Sequence, residues 1–149
     1  MERLHTRIGA ARPFDVPDLF ALLEQHHLPT AGLRDHLATT LVARTEDGQI
    51  AGSAALEVYY PDGALLRSVA IAPALQGHGL GYRLTEAAIT LARDRRVTAI
   101  YLLTTTAERY FPRFGFAPIT RAEVPPAVQT SIEFTSACPS SATVMRKIL

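Results

Sequence analysis

The sequence predicts an α/β sandwich built on a mixed sheet. Three observations carry this. Two strand–turn–strand passages follow one another between Leu37 and Ala72, the apolar spacing changes from period two to helical at Leu80, and a strand pattern returns at Ala99–Leu103. At 149 residues the chain is long enough for one domain with a substantial core, and without repeats or low-complexity tracts residues 1–149 read as a single unit.

Taken in order, Leu4–Ile8 is expected as a short strand. A helix follows, with Asp15 near its cap, Pro17 in its first turn, and Val16, Leu19, Phe20 and Leu23 on one face. It ends near His26 and His27, and Pro29 and Gly32 mark a loop. Leu37–Arg44 and Ile50–Tyr60 read as a hairpin around the turn EDGQ. Pro61, Asp62 and Gly63 turn the chain again into LLRSVAIA, which stops at Pro73. Leu80, Leu84, Ala87, Ala88, Leu91 and Ala92 form the stripe of a helix reaching about Arg96. After Ala99–Leu103, Thr104–Thr106 can cap a helix carrying Ala107, Tyr110, Phe111 and Phe114, with Gly115 as its stop. Prolines at 125 and 126 and the CPSSA stretch interrupt the chain before a last strand, Thr143–Ile148.

Composition excludes several classes. With 48% hydrophobic and 19% charged residues the chain is globular rather than disordered, and a net charge of +1 disfavours a general nucleic-acid partner. A lone Cys138 cannot form an intrachain disulfide, so the cytoplasm is the default location. The first twenty residues lack the apolar run of a signal peptide, and no stretch approaches the roughly 20 apolar residues of a membrane helix, so no membrane partner is expected.

The most informative segment is RSVAIAPALQGHGLGYRL: a strand, a loop with glycines at 77, 79 and 81, then a helix. Amides at such a helix start can converge on an anion such as a pyrophosphate; the alternative is a plain flexible turn. Tyr82 and Arg83 stand where a P-loop needs Lys and Ser or Thr, and the third glycine comes one place early for GxGxxG.

Gln76-Gly77-His78-Gly79-Leu80-Gly81 resembles motif A of the GNAT (Gcn5-related N-acetyltransferase) superfamily, Q or R, x, x, G, x, G or A. SVAIAP before it and AERYFPRFGF after the next strand extend the resemblance over the middle and later half of the chain. LLRSVAI, YLLTTTAERYF and FTSACPSSATVM are similar to the small N-acetyltransferases associated with arsenic resistance. The resemblance implies an α+β fold whose mixed, mostly antiparallel sheet splays at its centre with helices on both faces. It also implies acetyl-CoA as cosubstrate, no metal, and direct attack by the primary amine of a small molecule, an amino acid or an analogue such as an arsenical. A protein amino terminus or lysine, or acetyl-CoA binding without turnover, are the alternatives.

By the same resemblance, the backbone of Val69, Ala70 and Ile71 would pair with the pantetheine arm, and residues Gln76, Gly77, His78, Gly79, Leu80 and Gly81 would hold the pyrophosphate. Thr104, Ala107 and Phe111 fall at further cofactor positions. Thr104 replaces a frequent Asn, and Phe111 stands where many relatives place the Tyr that protonates the leaving thiolate, leaving Tyr110 as the candidate acid; the alternative is that Tyr110 packs and water protonates the thiol.

An amine with a pKa of about 7.7 to 8.0 needs a base at pH 7. Glu57, on an apolar strand with the parity of Ala55 and Tyr59, is the candidate if burial raises its pKa; otherwise it is a salt-bridged carboxylate. Arg67 interrupts an apolar strand and requires an anion, supplied by Glu57 or by an acidic substrate. Ser68, Thr105, Thr106 and Ser131 are the remaining substrate candidates; Glu133 and Ser140 can line the same cavity or serve local hydrogen bonding. His26 and His27 lack metal-ligand spacing and read as helix-end groups. Homodimerisation is compatible with this reading, and no residue pattern specifies it.

Overall fold

In the computed structural model, residues 5–149 are described. The strands are β1 (Thr6–Ala10), β2 (Thr40–Thr45), β3 (Ile50–Tyr59), β4 (Gly63–Ile71), β5 (Ala99–Thr104), β6 (Ala117–Ile119) and β7 (Thr143–Ile148). The α-helices are α1 (Val16–Gln25), α2 (Leu80–Asp94) and the single turn α3 (Pro126–Gln129). Strand order is β1-β2-β3-β4-β5-β7-β6. The β1–β2, β2–β3, β5–β7 and β6–β7 pairs are antiparallel, whereas β4 and β5 run parallel through Ala64↔Ile100 and Leu65↔Tyr101. The expected mixed, mostly antiparallel sheet is therefore present. Contacts group the chain into two compact units: residues up to Ala55 with Ser68–Ala88, and Leu56–Arg67 with Ile89–Leu149.

In the first unit, the β2–β3 hairpin turns at EDGQ, where Gly48 takes φ +85° and its N–H donates to the Thr45 carbonyl. The apolar face of α1 buries Leu19, Leu22 and Leu23 against Ala11, Leu33, Val42, Ala55 and Ala70. The helix stops in a Schellman-type cap. His27 adopts φ +56° and donates to Glu24, and Leu28 donates back to Leu23 while packing on the core. Asp15 does not cap α1. Its carboxylate instead accepts from the Arg12 N–H at 2.7 Å and from the Arg44 guanidinium on β2, a two-pronged donor that outcompetes a single helix amide.

Two expected boundaries shift in this unit. The β2 strand begins at Thr40 rather than Leu37, because the Thr39 and Thr40 hydroxyls both donate to the His36 carbonyl and hold Leu33–Thr39 in 3-10 turns. The first strand is Thr6–Ala10 rather than Leu4–Ile8, with Ala10 paired to Leu41; Leu4 lies outside the described residues.

In the second unit, Leu65, Ala99, Tyr101, Val124, Val128 and Val144 form the core. Gly63 starts β4 beneath the Tyr101 ring, and a Cβ there would meet the ring at 2.8 Å. The helix expected over residues 107–114 is replaced by a turn and one 3-10 turn, Phe111–Phe114, ending at Gly115 with φ +94°. Pro112 lacks the N–H that would continue an α-helix, so the cap that the Thr104 hydroxyl makes with the amides of Thr106 and Ala107 leads only into a turn. The aromatic spacing instead builds a ring cluster, with Phe111 edge-on to Tyr110 at 5.2 Å and to Phe116 at 5.8 Å. Pro126 opens α3, where a missing N–H costs nothing, and Pro118 sits on the edge strand β6. Prolines that read as breaks thus begin or border elements.

Two stability outcomes follow. The hydrogen bond from Arg44, acting against desolvation and helped by Arg12, holds the Asp15 carboxyl below its ordinary 3.8. The stability it adds is complete above that value and disappears as pH falls through the lower folded value. Urea denaturation of Asp15→Asn should show a loss of about 2 kcal/mol at pH 7 that shrinks as pH drops below 3.8. On α2, the buried Thr85 hydroxyl finds no partner among the described residues, so Thr85→Val should raise stability by about 1 kcal/mol in the same assay.

Candidate functional site

The chain leaves β4 at Ile71, makes a short 3-10 turn at Pro73–Leu75 and enters α2 at Leu80. Gly77 and Gly79 take φ +84° and +80°, and a side chain at either would be strained by the backbone alone. Gly79 accepts the first helical bond, from the Arg83 N–H. Among the described residues, no backbone group accepts from the amides of residues 77–81. Five successive donors therefore open α2, where the helix dipole also favours negative charge. Gln76 turns away from them: its Nε2 donates to the Ile71 carbonyl at 3.1 Å and approaches His26 Nε2 at 3.5 Å. His26 Nδ1 donates to the Leu22 carbonyl, so in the neutral ring Nε2 is the acceptor for Gln76. The residues at 76–79 are exposed, Leu80 is buried and Gly81 is half-buried.

On β4, Val69 and Ile71 are half-buried, and Ala70 and Ser68 are buried. Ser68 adopts φ +59°, a left-handed conformation unusual for a residue with a side chain.

The second unit holds a buried charge cluster. Arg67, with a side chain 0% exposed, donates from Nη1 to Glu57 Oε2 at 2.8 Å and lies with Nε 3.4 Å from Glu133 Oε2. The Tyr59 hydroxyl donates to Glu57 Oε1 at 2.6 Å, and Ser131 donates to the same carboxylate. Arg67 therefore pairs with protein carboxylates in this structure, the first of the two anions the sequence allows it. Glu57 takes the second of its two readings, the salt-bridged carboxylate. Burial pushes its carboxyl up, but the donors Ser131, Tyr59 and Arg67 together outweigh burial and hold it below its ordinary value.

Glu133 behaves oppositely. Burial, aided by the nearby Glu57 charge, raises its carboxyl despite Arg67 and a hydrogen bond from Cys138. Burial and the Glu133 charge push the Cys138 thiol up to about 12, and burial and Glu57 push Tyr59 up to about 12. Both groups thus stay protonated donors at neutral pH. Tyr59 escaped the sequence reading as a functional group, although its period-two spacing from Glu57 signalled a shared face.

Other candidates divide by burial. Thr104 is buried and capping, Thr105 and Thr106 are exposed, and Ala107 is half-buried. Phe111 is buried in the ring cluster, and Tyr110 is half-buried against Phe111 and Phe114 with the Arg113 guanidinium over its ring. Among the described residues, no helix is long and apolar enough to cross a membrane.

Residues 3–116 match the model of the Acetyltransferase (GNAT) family. An amino-acid acetyltransferase of Mycobacterium tuberculosis (strain ATCC 25618 / H37Rv) is 36% identical over 72 residues, covering 48% of this chain and 41% of that protein. Among solved structures, the N-acetylglutamate synthase of Neisseria gonorrhoeae, complexed with coenzyme A and N-acetyl-glutamate, shares the fold with a TM-score of 0.82. Identity there is 22%, over 99% of this chain and 36% of the synthase. A Mycobacterium tuberculosis protein in complex with CoA gives a TM-score of 0.80 at 25% identity, over 96% of this chain and 99% of its own. The chain thus spans less than half the length of the amino-acid acetyltransferase and of the synthase.

The two carboxylates should respond differently to loss of charge. Glu57→Gln leaves the Arg67 guanidinium short of its best-held partner and should cost about 3–5 kcal/mol at pH 7. The Glu57 contribution is present above its ordinary pKa and lost as pH falls through the depressed folded value. Glu133 has a raised folded pKa, so its ionisation opposes folding as pH rises past its ordinary value; Glu133→Gln should cost less than Glu57→Gln in urea denaturation at pH 7.

Proposed function

The chain belongs to the GNAT acetyltransferase family, and from that premise we propose that it moves the acetyl group of acetyl-CoA to the primary amine of an amino acid or amino-acid analogue. The observation that carries this reading is the row of unclaimed amides at residues 77–81, a neutral anion cradle suited to the cofactor's diphosphate. The amino-acid acceptor is supported by the 36% identical amino-acid acetyltransferase. On this reading residues 1–149 act as one catalytic domain. The β4 backbone at Val69–Ile71 receives the pantetheine arm, and the Val69 amide polarises the thioester carbonyl. Thr104, Ala107 and Phe111 complete the cofactor contacts.

The amine must lose a proton before or during attack. Glu57 and Glu133 around one guanidinium carry one net negative charge when both are ionised, and one proton cancels it. Glu57, saturated with donors, holds its charge; Glu133, whose carboxyl burial has raised, is the better resting place for that proton. Arg67 then fixes the two carboxylates rather than gripping the acceptor, which leaves Ser68, Thr105, Thr106 and Ser131 as its contacts. As the tetrahedral intermediate collapses, the C–S bond breaks and the thiolate takes a proton from Tyr110 or solvent.

The test is release of free thiol from acetyl-CoA against a panel of amino acids, an arsenical amino acid and lysine-containing peptides. Thiol release with one or more free amino acids is the expected outcome, and Glu133→Gln should lower kcat at least about tenfold. Release only with peptides would transfer the acceptor to a protein. The buried Phe111, which has no proton to give, favours one further outcome, cofactor binding without release.

A further inference from the structure

We propose that Ser53, assisted by Gly52, is a positioning residue that sets the backbone of β4 from Ser68 to Ile71; the inference rests on the acetyltransferase reading of that strand. Ser68 is held at φ +59°, where an L-residue stays only if its surroundings over-determine it. Ser53 supplies part of that constraint. Its side chain is buried, and its hydroxyl donates to the Ser68 carbonyl at 2.7 Å.

The neighbouring residues tighten the same junction. A Cβ on Gly52 would meet the Ala70 carbonyl oxygen at 2.9 Å, Ile71 Cδ1 at 2.8 Å and Leu84 Cδ1 at 2.9 Å, so only glycine lets β4 and α2 approach this closely. The Ala72 N–H donates to the Ala51 carbonyl at 2.8 Å. Three consecutive residues of β3, Ala51–Ser53, thus grip the chain from Ser68 to Ala72.

Ser68 directly precedes Val69, whose amide is assigned to the thioester carbonyl. A residue in the left-handed region rotates the peptide that follows it, so the direction of the Val69 N–H depends on Ser68 keeping its φ. Removing the Ser53 hydroxyl leaves the Ser68 carbonyl without this donor and lets Ser68 relax toward extended geometry. Ser53 acts through backbone direction and not through contact with substrate. The diphosphate cradle at residues 77–81 contains neither residue.

Ser53→Ala should therefore lower kcat about tenfold or more while changing the KM for acetyl-CoA less than about threefold. Amide exchange at Ala72 should accelerate in the cofactor-free protein, with thermal unfolding run alongside to establish that the variant is folded. Ser53→Cys keeps the size and a weak donor; it should fall between wild type and Ser53→Ala, and carries the same test if the alanine variant does not fold. A folded variant with unchanged kcat, or with unchanged exchange at Ala72, overturns the proposal. A wild type that releases no thiol with any amine overturns the acetyltransferase reading instead, and the exchange measurement still decides whether Ser53 sets the strand.

Discussion

A guanidinium with no exposed side-chain surface, placed between two buried carboxylates, is the constraint on which the second unit depends. Burying any of these three charges alone would be prohibitive, so each residue requires the others. The requirement reaches along the chain. Arg67 lies on β4, Glu57 and its donor Tyr59 on β3, and Ser131 and Glu133 between α3 and β7, where Glu133 opens the π-helical turn Glu133–Ala137. The ion pair and the Ser131 hydroxyl tie that turn to the strands.

The same cluster shows how one environment separates two like groups. Glu57 and Glu133 are both buried carboxylates near one cation, yet their acidities move in opposite directions. Donor count decides the difference: Glu57 receives three side-chain donors in addition to burial, whereas Glu133 has a longer contact to Arg67 and a weak thiol donor. Such a divergence gives an acid–base site two distinct roles from one residue type.

Much of this was legible in the sequence, and the remainder failed for local reasons. The β3–β4 region, α2 from Leu80 and β7 at Thr143–Ile148 follow from apolar periodicity, which burial enforces strongly. The aromatic helix after Thr104 did not form, because helical spacing also suits a ring cluster and Pro112 tips the balance. Asp15 looked like a cap until Arg44, 29 residues away, claimed its carboxylate. The glycine loop could be read because φ preferences are local. The direction of the Glu57 shift could not, since it depends on Ser131, which folding brings in from 74 residues downstream. Ser53 left no mark at all: a serine in an apolar strand says nothing about which carbonyl it will meet.

The loop before α2 offers its neighbour main-chain nitrogen rather than side-chain charge. The main-chain N–H groups of such a cradle carry no titratable proton, so their number as donors does not change with the acidity of the medium. Mutation also finds little purchase there. The outward-facing positions His78 and Tyr82 can be exchanged without erasing the donors, whereas Gly77 and Gly79 must keep a backbone path that other amino acids follow only under strain.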